Sequence, residues 1–160
     1  MERKNTLTLG SLFDGSGGFP LGGLLAGVTP VWASEIEPFP IRVTTRRFPS
    51  MKHYGDISQM DGGKIEPVDI ITFGSPCTDM SIAGKRAGLD GAQSSLFYQA
   101  IRIIKEMRCA TNGRYPRWIC WENVVGAFSS NRGLDFKAVL EAVIGIAEPG
   151  AEVPMPPKDR

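Results

Sequence analysis

His53 is the only histidine among 160 residues, which removes most histidine-based catalytic triads. Cysteine is also sparse. Cys77, Cys109 and Cys120 are odd in number and widely spaced, and they suit neither a disulfide framework nor a zinc knuckle. No metal site is expected. Charge of one sign is lacking: 18 Lys and Arg face 17 Asp and Glu, for a formal net charge of +1. A strongly basic domain, the usual footprint of nucleic-acid binding, is therefore not indicated, although such a surface can lie on a separate domain. No apolar run is long enough to span a bilayer, and Met1-Glu2-Arg3-Lys4-Asn5 does not open a signal peptide. A cytoplasmic location with no membrane partner is the expectation. Internal repeats are absent.

What is present suits one domain with a sizeable core. Apolar and helical patterns alternate along the chain. Leu7–Phe13 reads as a strand and Phe19–Ala26 as a small-residue helix with Pro20 in its first turn. Val31–Ser34 reads as a second strand. Pro38 and Pro40 open a helix reaching Phe48 and stopped by Pro49. A short third strand is expected near His53-Tyr54. Val68–Phe73, apolar apart from Asp69 and Thr72, reads as a buried parallel strand. Ser94-Ser95 caps a helix running to Met107, with Leu96, Ala100, Ile103, Ile104 and Met107 on one face. Trp118–Trp121 is the next strand, and Phe136, Val139, Leu140, Val143 and Ile144 mark an amphipathic helix. This order predicts an α/β fold, a mostly parallel sheet flanked by helices. Glu148-Pro149-Gly150 ends the last helix, and residues 148–160 read as a Pro-rich tail or linker.

Three segments carry chemistry. Phe13-Asp14-Gly15-Ser16-Gly17-Gly18 is a glycine-rich turn between a strand and a helix, where backbone approaches a ligand closely. It does not match the Gly-x-Gly-x-x-Gly pyrophosphate pattern, and a plain tight turn is the competing reading. Glu35 ends the second strand about 20 residues beyond these glycines, where an acid binds ribose hydroxyls. Asp56, in Gly55-Asp56-Ile57-Ser58, is either an acceptor for an adenine amino group or an ordinary turn acid. Cys77 leaves the Val68–Phe73 strand into the polar loop Gly74–Gln93, as a nucleophile would. Cys109 and Cys120 read instead as buried structural thiols. Arg46-Arg47 is taken as a solvated face, whereas Lys85-Arg86 lies on the loop that carries Cys77.

In this order the segments resemble the DNA (cytosine-5) methyltransferase family. Leu12-Phe13-Asp14-Gly15-Ser16-Gly17-Gly18-Phe19 is similar to its first S-adenosylmethionine motif. Ser34-Glu35-Ile36-Glu37 and Gly55-Asp56-Ile57 resemble the second and third. Gly74-Ser75-Pro76-Cys77-Thr78-Asp79-Met80-Ser81 resembles the Pro-Cys motif, and Gly84-Lys85-Arg86-Ala87-Gly88-Leu89 the mobile loop after it. Ser95-Leu96-Phe97 and Glu122-Asn123-Val124 complete a set covering roughly residues 7–145.

The resemblance implies a Rossmann-like, S-adenosylmethionine-dependent methyltransferase fold, truncated. Phe13, Asp14, Gly15, Gly17, Gly18, Glu35, Ile36, Asp56, Ile57, Gly74 and Leu96 would line the site for S-adenosylmethionine and its product S-adenosylhomocysteine. Cys77 would attack C6 of a cytosine flipped out of double-stranded DNA. Glu122 would bind the N3 edge, Asn123 would hold the loops together, and Pro76 would shape the turn. Ser81, Lys85 and Arg86 would contact DNA. The sequence departs from the family pattern at Ser75, Thr78-Asp79 and Gln93-Ser94-Ser95, and no Gln-Arg-Arg segment occurs. Residues 1–147 are accordingly expected to be the N-terminal cofactor-binding and catalytic part. The target-recognition domain would be absent, and a C-terminal half or a homodimer partner would complete the enzyme. A tRNA-directed cytosine methyltransferase and a non-catalytic remnant binding cofactor or a partner are the alternatives. A nicotinamide oxidoreductase is disfavoured by the glycine pattern.

Overall fold

The computed structural model describes residues 6–75, 96–128 and 130–154. The chain divides into two compact units, Met1–Gly74 with Arg102–Glu122, and Ser75–Ile101 with Asn123–Arg160.

The first unit is built on five parallel strands: β1 (Thr8–Leu12), β2 (Thr29–Ser34), β3 (Lys52–His53), β4 (Ile70–Phe73) and β5 (Trp118–Trp121), in the order β3-β2-β1-β4-β5. Parallel neighbours require crossovers, and these are supplied by helices. Helix α1 (Gly18–Leu25) joins β1 to β2 and α2 (Pro38–Arg47) joins β2 to β3. Pro38 occupies the first turn of α2, where its missing N–H costs nothing, and Glu37 precedes it as the N-cap. Helix α3 (Leu96–Ala110) lies between β4 and β5 in sequence, and its Arg102–Ala110 part belongs to this unit. The expected strands and helices all occur; β5 has the expected ends, and the others are shifted at one or both ends. The cap expected at Ser94-Ser95 lies outside the described residues. On α3 the buried side chains include Ala100, Ile103, Ile104 and Met107, but Phe97 rather than Leu96 begins the stripe.

The Trp32 side chain of β2 lies close against β1. Gly10 pairs with Trp32, and a Cβ on Gly10 would overlap the indole ring. Trp32 is fully buried, and its Nε1–H donates to the Glu66 carbonyl oxygen at 2.8 Å. The polar residue inside the β4 run has a comparable role at the other end of the sheet. Asp69 Oδ2 accepts from both the N–H and the Oγ1–H of Thr8 at 3.0 Å, and the Asp69 carbonyl oxygen accepts from the N–H groups of Arg117 and Trp118. One acid thus aligns β1, β4 and β5 where they begin. Arg102 fastens the connection before β4, donating to the Ile57 and Met60 carbonyl oxygens at 2.8 and 2.9 Å and pairing with Glu106.

Among the described residues β5 has a neighbour on one side only, and one expectation fails there. Trp118 is 65% exposed, and Cys120, on the same face, is exposed rather than buried. An edge strand with one uncovered face cannot bury alternate residues, whatever their hydrophobicity. Cys109 is likewise exposed, because it falls outside the buried stripe near the end of α3.

Among the described residues of the second unit, α4 (Leu134–Ile144) follows two 3₁₀ turns, Val125–Phe128 and Ser130–Gly133. Phe128 and Phe136 meet edge to face at 4.7 Å. Only Val139 of the expected apolar stripe is fully buried, and Ile144 is 38% exposed. The Val153 N–H donates to Glu141 Oε1 at 3.1 Å, so the chain after α4 returns to that helix.

Gly10→Val is expected to lower stability by about 1–3 kcal/mol or more, because the added atoms must displace a fully buried indole. Urea unfolding followed by tryptophan fluorescence would register this as a lower midpoint. Gly23→Ala is the control, since its Cβ would meet only ordinary van der Waals neighbours.

Candidate functional site

Strand order fixes where the first unit gathers its polar groups. From β1 the chain runs outward through β2 to β3, then returns past β1 to β4 and β5. The reversal falls between β1 and β4, and the carboxyl ends of strands at such a switch point form a crevice in open α/β sheets. Register places Leu12 beside both Ser34 and Phe73, and Phe73 beside Trp121. The residues that leave β1, β2, β4 and β5 therefore lie along one edge. They are Phe13, Glu35, Gly74 and Glu122.

The glycine turn is held in a demanding conformation. Phe13, Gly15 and Gly17 have φ of 56°, 55° and 86°, all left-handed. Glycine adopts this at little cost, whereas Phe13 does so against its own preference, a kind of strain that clusters at ligand sites. Glu35 supplies the compensating restraint. Its Oε2 accepts from the Gly15 N–H at 2.7 Å, while Oε1 accepts from the N–H groups of Ile36 and Glu37 at 2.8 and 3.0 Å. The Asp14 N–H donates to the Ser34 carbonyl oxygen at 3.1 Å, and Ser34 Oγ–H donates to the Gly55 carbonyl oxygen at 2.7 Å. The turns after β1, β2 and β3 are thus one connected unit.

This network adds to the expected roles. Glu35 organises the turn before it meets any ligand; a carboxylate has about four acceptor sites, so one remains for a hydroxyl. Asp56 Oδ1 accepts from the Ser58 N–H at 2.8 Å and caps the 3₁₀ turn Ile57–Gln59. Both readings of Asp56 are compatible, since its second oxygen takes no part in that bond. Ile36 is 65% exposed beside Glu35, whereas the Ile57 side chain is buried in the core. A Cβ on Gly15, Gly18 or Gly55 would meet nothing within 4 Å, so the turn borders open space. Gly17 differs, since its Cβ would press on Thr44 and Phe48 of the α2 segment.

At the β4 and β5 exits, Gly74 leaves room for an acid. A Cβ there would come within 2.8 Å of Glu122 Oε2. The Glu122 N–H donates to the Phe73 carbonyl oxygen at 2.9 Å, which continues the ladder to the last residue of the unit. Asn123 and Leu96 belong to the second unit. Asn123 Oδ1 accepts from the Val124 N–H at 2.7 Å. Pro76, Cys77, Ser81, Lys85 and Arg86 lie outside the described residues.

One group at this edge escaped the reading of the sequence, and a second was expected only to line the cofactor site. His53 Nε2 lies 3.0 Å from Thr44 Oγ1, whose hydroxyl is directed to the Pro40 and Ile41 carbonyl oxygens. Thr44 must then accept from Nε2–H. Burial lowers the His53 pKa, although the Glu35 charge opposes the shift. The second is Asp14, which is 5% exposed, with no hydrogen bond of ordinary geometry to either carboxylate oxygen. Burial pushes its pKa up to about 6; the nearby Ser11 hydroxyl counters part of the rise and the Glu35 charge adds to it. Its place in the glycine turn marked Asp14 as a cofactor-lining residue, but nothing in the sequence signalled its burial.

The Asp14 shift makes stability depend on pH. The folded chain holds the proton more tightly than the unfolded chain, so stability falls as pH rises from about 4 through about 6. Asp14→Asn removes this charge. It should raise stability on the order of 1–3 kcal/mol at pH 7.5 and much less at pH 4.5, read as the difference in thermal midpoints.

Comparison with known proteins supplies the family. A family described as C-5 cytosine-specific DNA methylase matches residues 7–146. Type II methyltransferase M1.ScrFI of Lactococcus lactis subsp. cremoris is 36% identical over 133 residues, covering 82% of this chain and 32% of that protein. A DNA N-6-adenine-methyltransferase of Escherichia phage P1 is 34% identical over 140 residues, 84% of this chain but 18% of that protein. The chain therefore spans a third or less of the length of these two relatives. Among solved structures, a prophage-encoded E. coli protein described as a DNA modification methyltransferase superposes with a TM-score of 0.63 at 24% identity. The match covers 88% of this chain and 38% of that one. The S. pombe Dnmt2 methyltransferase gives 0.60 at 20% identity, covering 85% and 40%. These structural likenesses bear on the fold, and the α/β methyltransferase architecture agrees with the parallel sheet described above. Its glycine turn, its acids at the strand ends and the match across residues 7–146 make this chain a member of the C-5 cytosine-specific DNA methylase family.

Proposed function

We propose that residues 1–147 are the N-terminal cofactor-binding and catalytic part of an enzyme that methylates C5 of cytosine in double-stranded DNA. The observation that carries this reading is the glycine turn bound by Glu35 at the sheet's switch point, in a chain of this family. Methyltransferases of the family use S-adenosylmethionine, which supplies the methyl group. The residues present suit it. The turn borders open space at Gly15 and Gly18, Glu35 and Asp56 retain acceptor capacity for ribose and adenine, and the exposed Ile36 offers an apolar surface beside them.

The chemistry assigned to the chain's own residues is nucleophilic. Cys77 as thiolate attacks C6 of a flipped-out cytosine, which places electron density on C5. Glu122 hydrogen-bonds the N3 and amino edge of the base and stabilises the activated ring. Once C5 is methylated, its proton leaves and the electron pair of that C–H bond re-forms the 5,6 double bond as Cys77 departs. Asn123 holds the catalytic loops, Pro76 shapes the turn before the thiol, and Ser81, Lys85 and Arg86 approach the DNA. Residues 148–160 act as a linker. A C-terminal part carrying the target-recognition domain, or a second copy of the chain, completes the enzyme, and the chain alone is inactive.

Two experiments test this. The chain is expected to bind S-adenosylhomocysteine in calorimetric titration, and Glu35→Ala should weaken binding by roughly 10–100-fold, since it removes charge-assisted hydrogen bonds that order the turn. A folded chain that binds equally well without Glu35 would refute the site. Supplied with a C-terminal part, the chain should form a covalent complex on 5-fluorocytosine DNA that Cys77→Ser abolishes; trapping that persists would remove Cys77 from its role.

A further inference from the structure

Asp14 is the one acid at the site whose burial the network leaves unexplained. It stands between two left-handed residues, Phe13 and Gly15, and its N–H is fixed to Ser34. Both carboxylate oxygens are buried, neither has a hydrogen bond of ordinary geometry although the Ser11 hydroxyl lies nearby, and no Lys or Arg among the described residues forms an ion pair with Asp14. Two groups face it: the Ser11 hydroxyl from β1 and the Glu35 carboxylate from the end of β2. The second is negative and already committed to the Gly15 N–H. His53 on β3 faces Glu35 too, and burial lowers its pKa. A buried carboxylate in this setting is costly in the ionised form. Asparagine would fill the same volume without that cost.

A cation bound against the turn, which borders open space at Gly15, would offset the Asp14 charge across the short intervening interior. On the cofactor reading of the preceding subsection, we propose that Asp14 is the counter-charge for the positively charged end of S-adenosylmethionine and loses a proton when the cofactor binds. The cofactor carries two positive centres, the sulfonium and the amino-acid ammonium. S-adenosylhomocysteine keeps only the ammonium. Asp14 is a positioning residue in this account, acting on the cofactor's charge rather than on the base.

The sign of the linkage follows from the free protein. Below pH about 6 free Asp14 is protonated, and a bound cation favours its anion, so binding releases a proton and tightens as pH rises toward 7. Each unit by which the ligand lowers the Asp14 pKa tightens binding about tenfold across the interval.

Calorimetric titration of the full chain at pH 6 in buffers of different ionisation enthalpy measures the proton count. Release of about half a proton with S-adenosylmethionine, lost in Asp14→Asn, is expected from a group half ionised at that pH. Release with S-adenosylhomocysteine as well assigns the counter-charge to the ammonium; release with S-adenosylmethionine alone assigns it to the sulfonium. A second measurement needs no variant: the carboxyl ¹³C resonance of Asp14 should titrate near pH 6 in the free chain and at least one unit lower in the complex. Binding with no Asp14-dependent release and no shift of that resonance overturns the proposal while leaving the cofactor site standing. Failure of the folded chain to bind either ligand overturns both.

Discussion

Parallel pairing of β1 on both of its sides is the constraint from which the rest of the first unit follows. It aligns the ends of β2, β1 and β4, and the last residues of these strands stand side by side because the register is continuous across them. The pairing is secured at the start by Asp69, which bonds Thr8 and receives the N–H groups that open β5. In mid-strand it depends on Gly10, whose missing side chain admits the Trp32 indole. Neither residue touches the polar edge, yet each sets where that edge lies.

The edge itself is a strained turn held by one carboxylate. Of three left-handed residues at alternate positions, the two glycines adopt this readily and Phe13 only under restraint. Glu35 restrains them from the neighbouring strand through the Gly15 N–H, and holds its own backbone through Ile36 and Glu37. A residue readable as a ribose ligand is therefore also part of the scaffold. Asp56 has the same double character, capping a 3₁₀ turn while keeping an oxygen out of that bond. Such double use preorganises a site, because the groups that meet the ligand are already held by hydrogen bonds.

Asp14 is the exception. Glu35 and Asp56 have found donors at this edge, whereas Asp14 is buried beside Glu35 with no hydrogen bond of ordinary geometry. Its ionisation opposes folding above pH about 6, and the cost is intelligible if a cation of the ligand offsets it. The exposed cysteines contrast with it. Cys109 and Cys120 are apolar in the sequence but lie at a helix end and on an edge strand, where little covers them.

Element order, the glycine turn, the acids ending β2 and β3, and Glu122 at the end of β5 were legible because each depends on local rules. These are hydrophobic period, proline and glycine placement, and the position of a polar residue at the close of an apolar run. Family membership was legible too, since ordered motifs survive where overall identity is low. The sequence could not determine which apolar residues are covered, because coverage depends on the strand order that leaves β5 at the edge. Nor could it reveal that Glu35 bonds Gly15, that Thr44 and His53 meet, or that Asp14 is buried with no cation beside it among the described residues. Those contacts join residues from different strands and helices, and only the crossovers of a parallel sheet bring them within hydrogen-bond range or into a common dry environment.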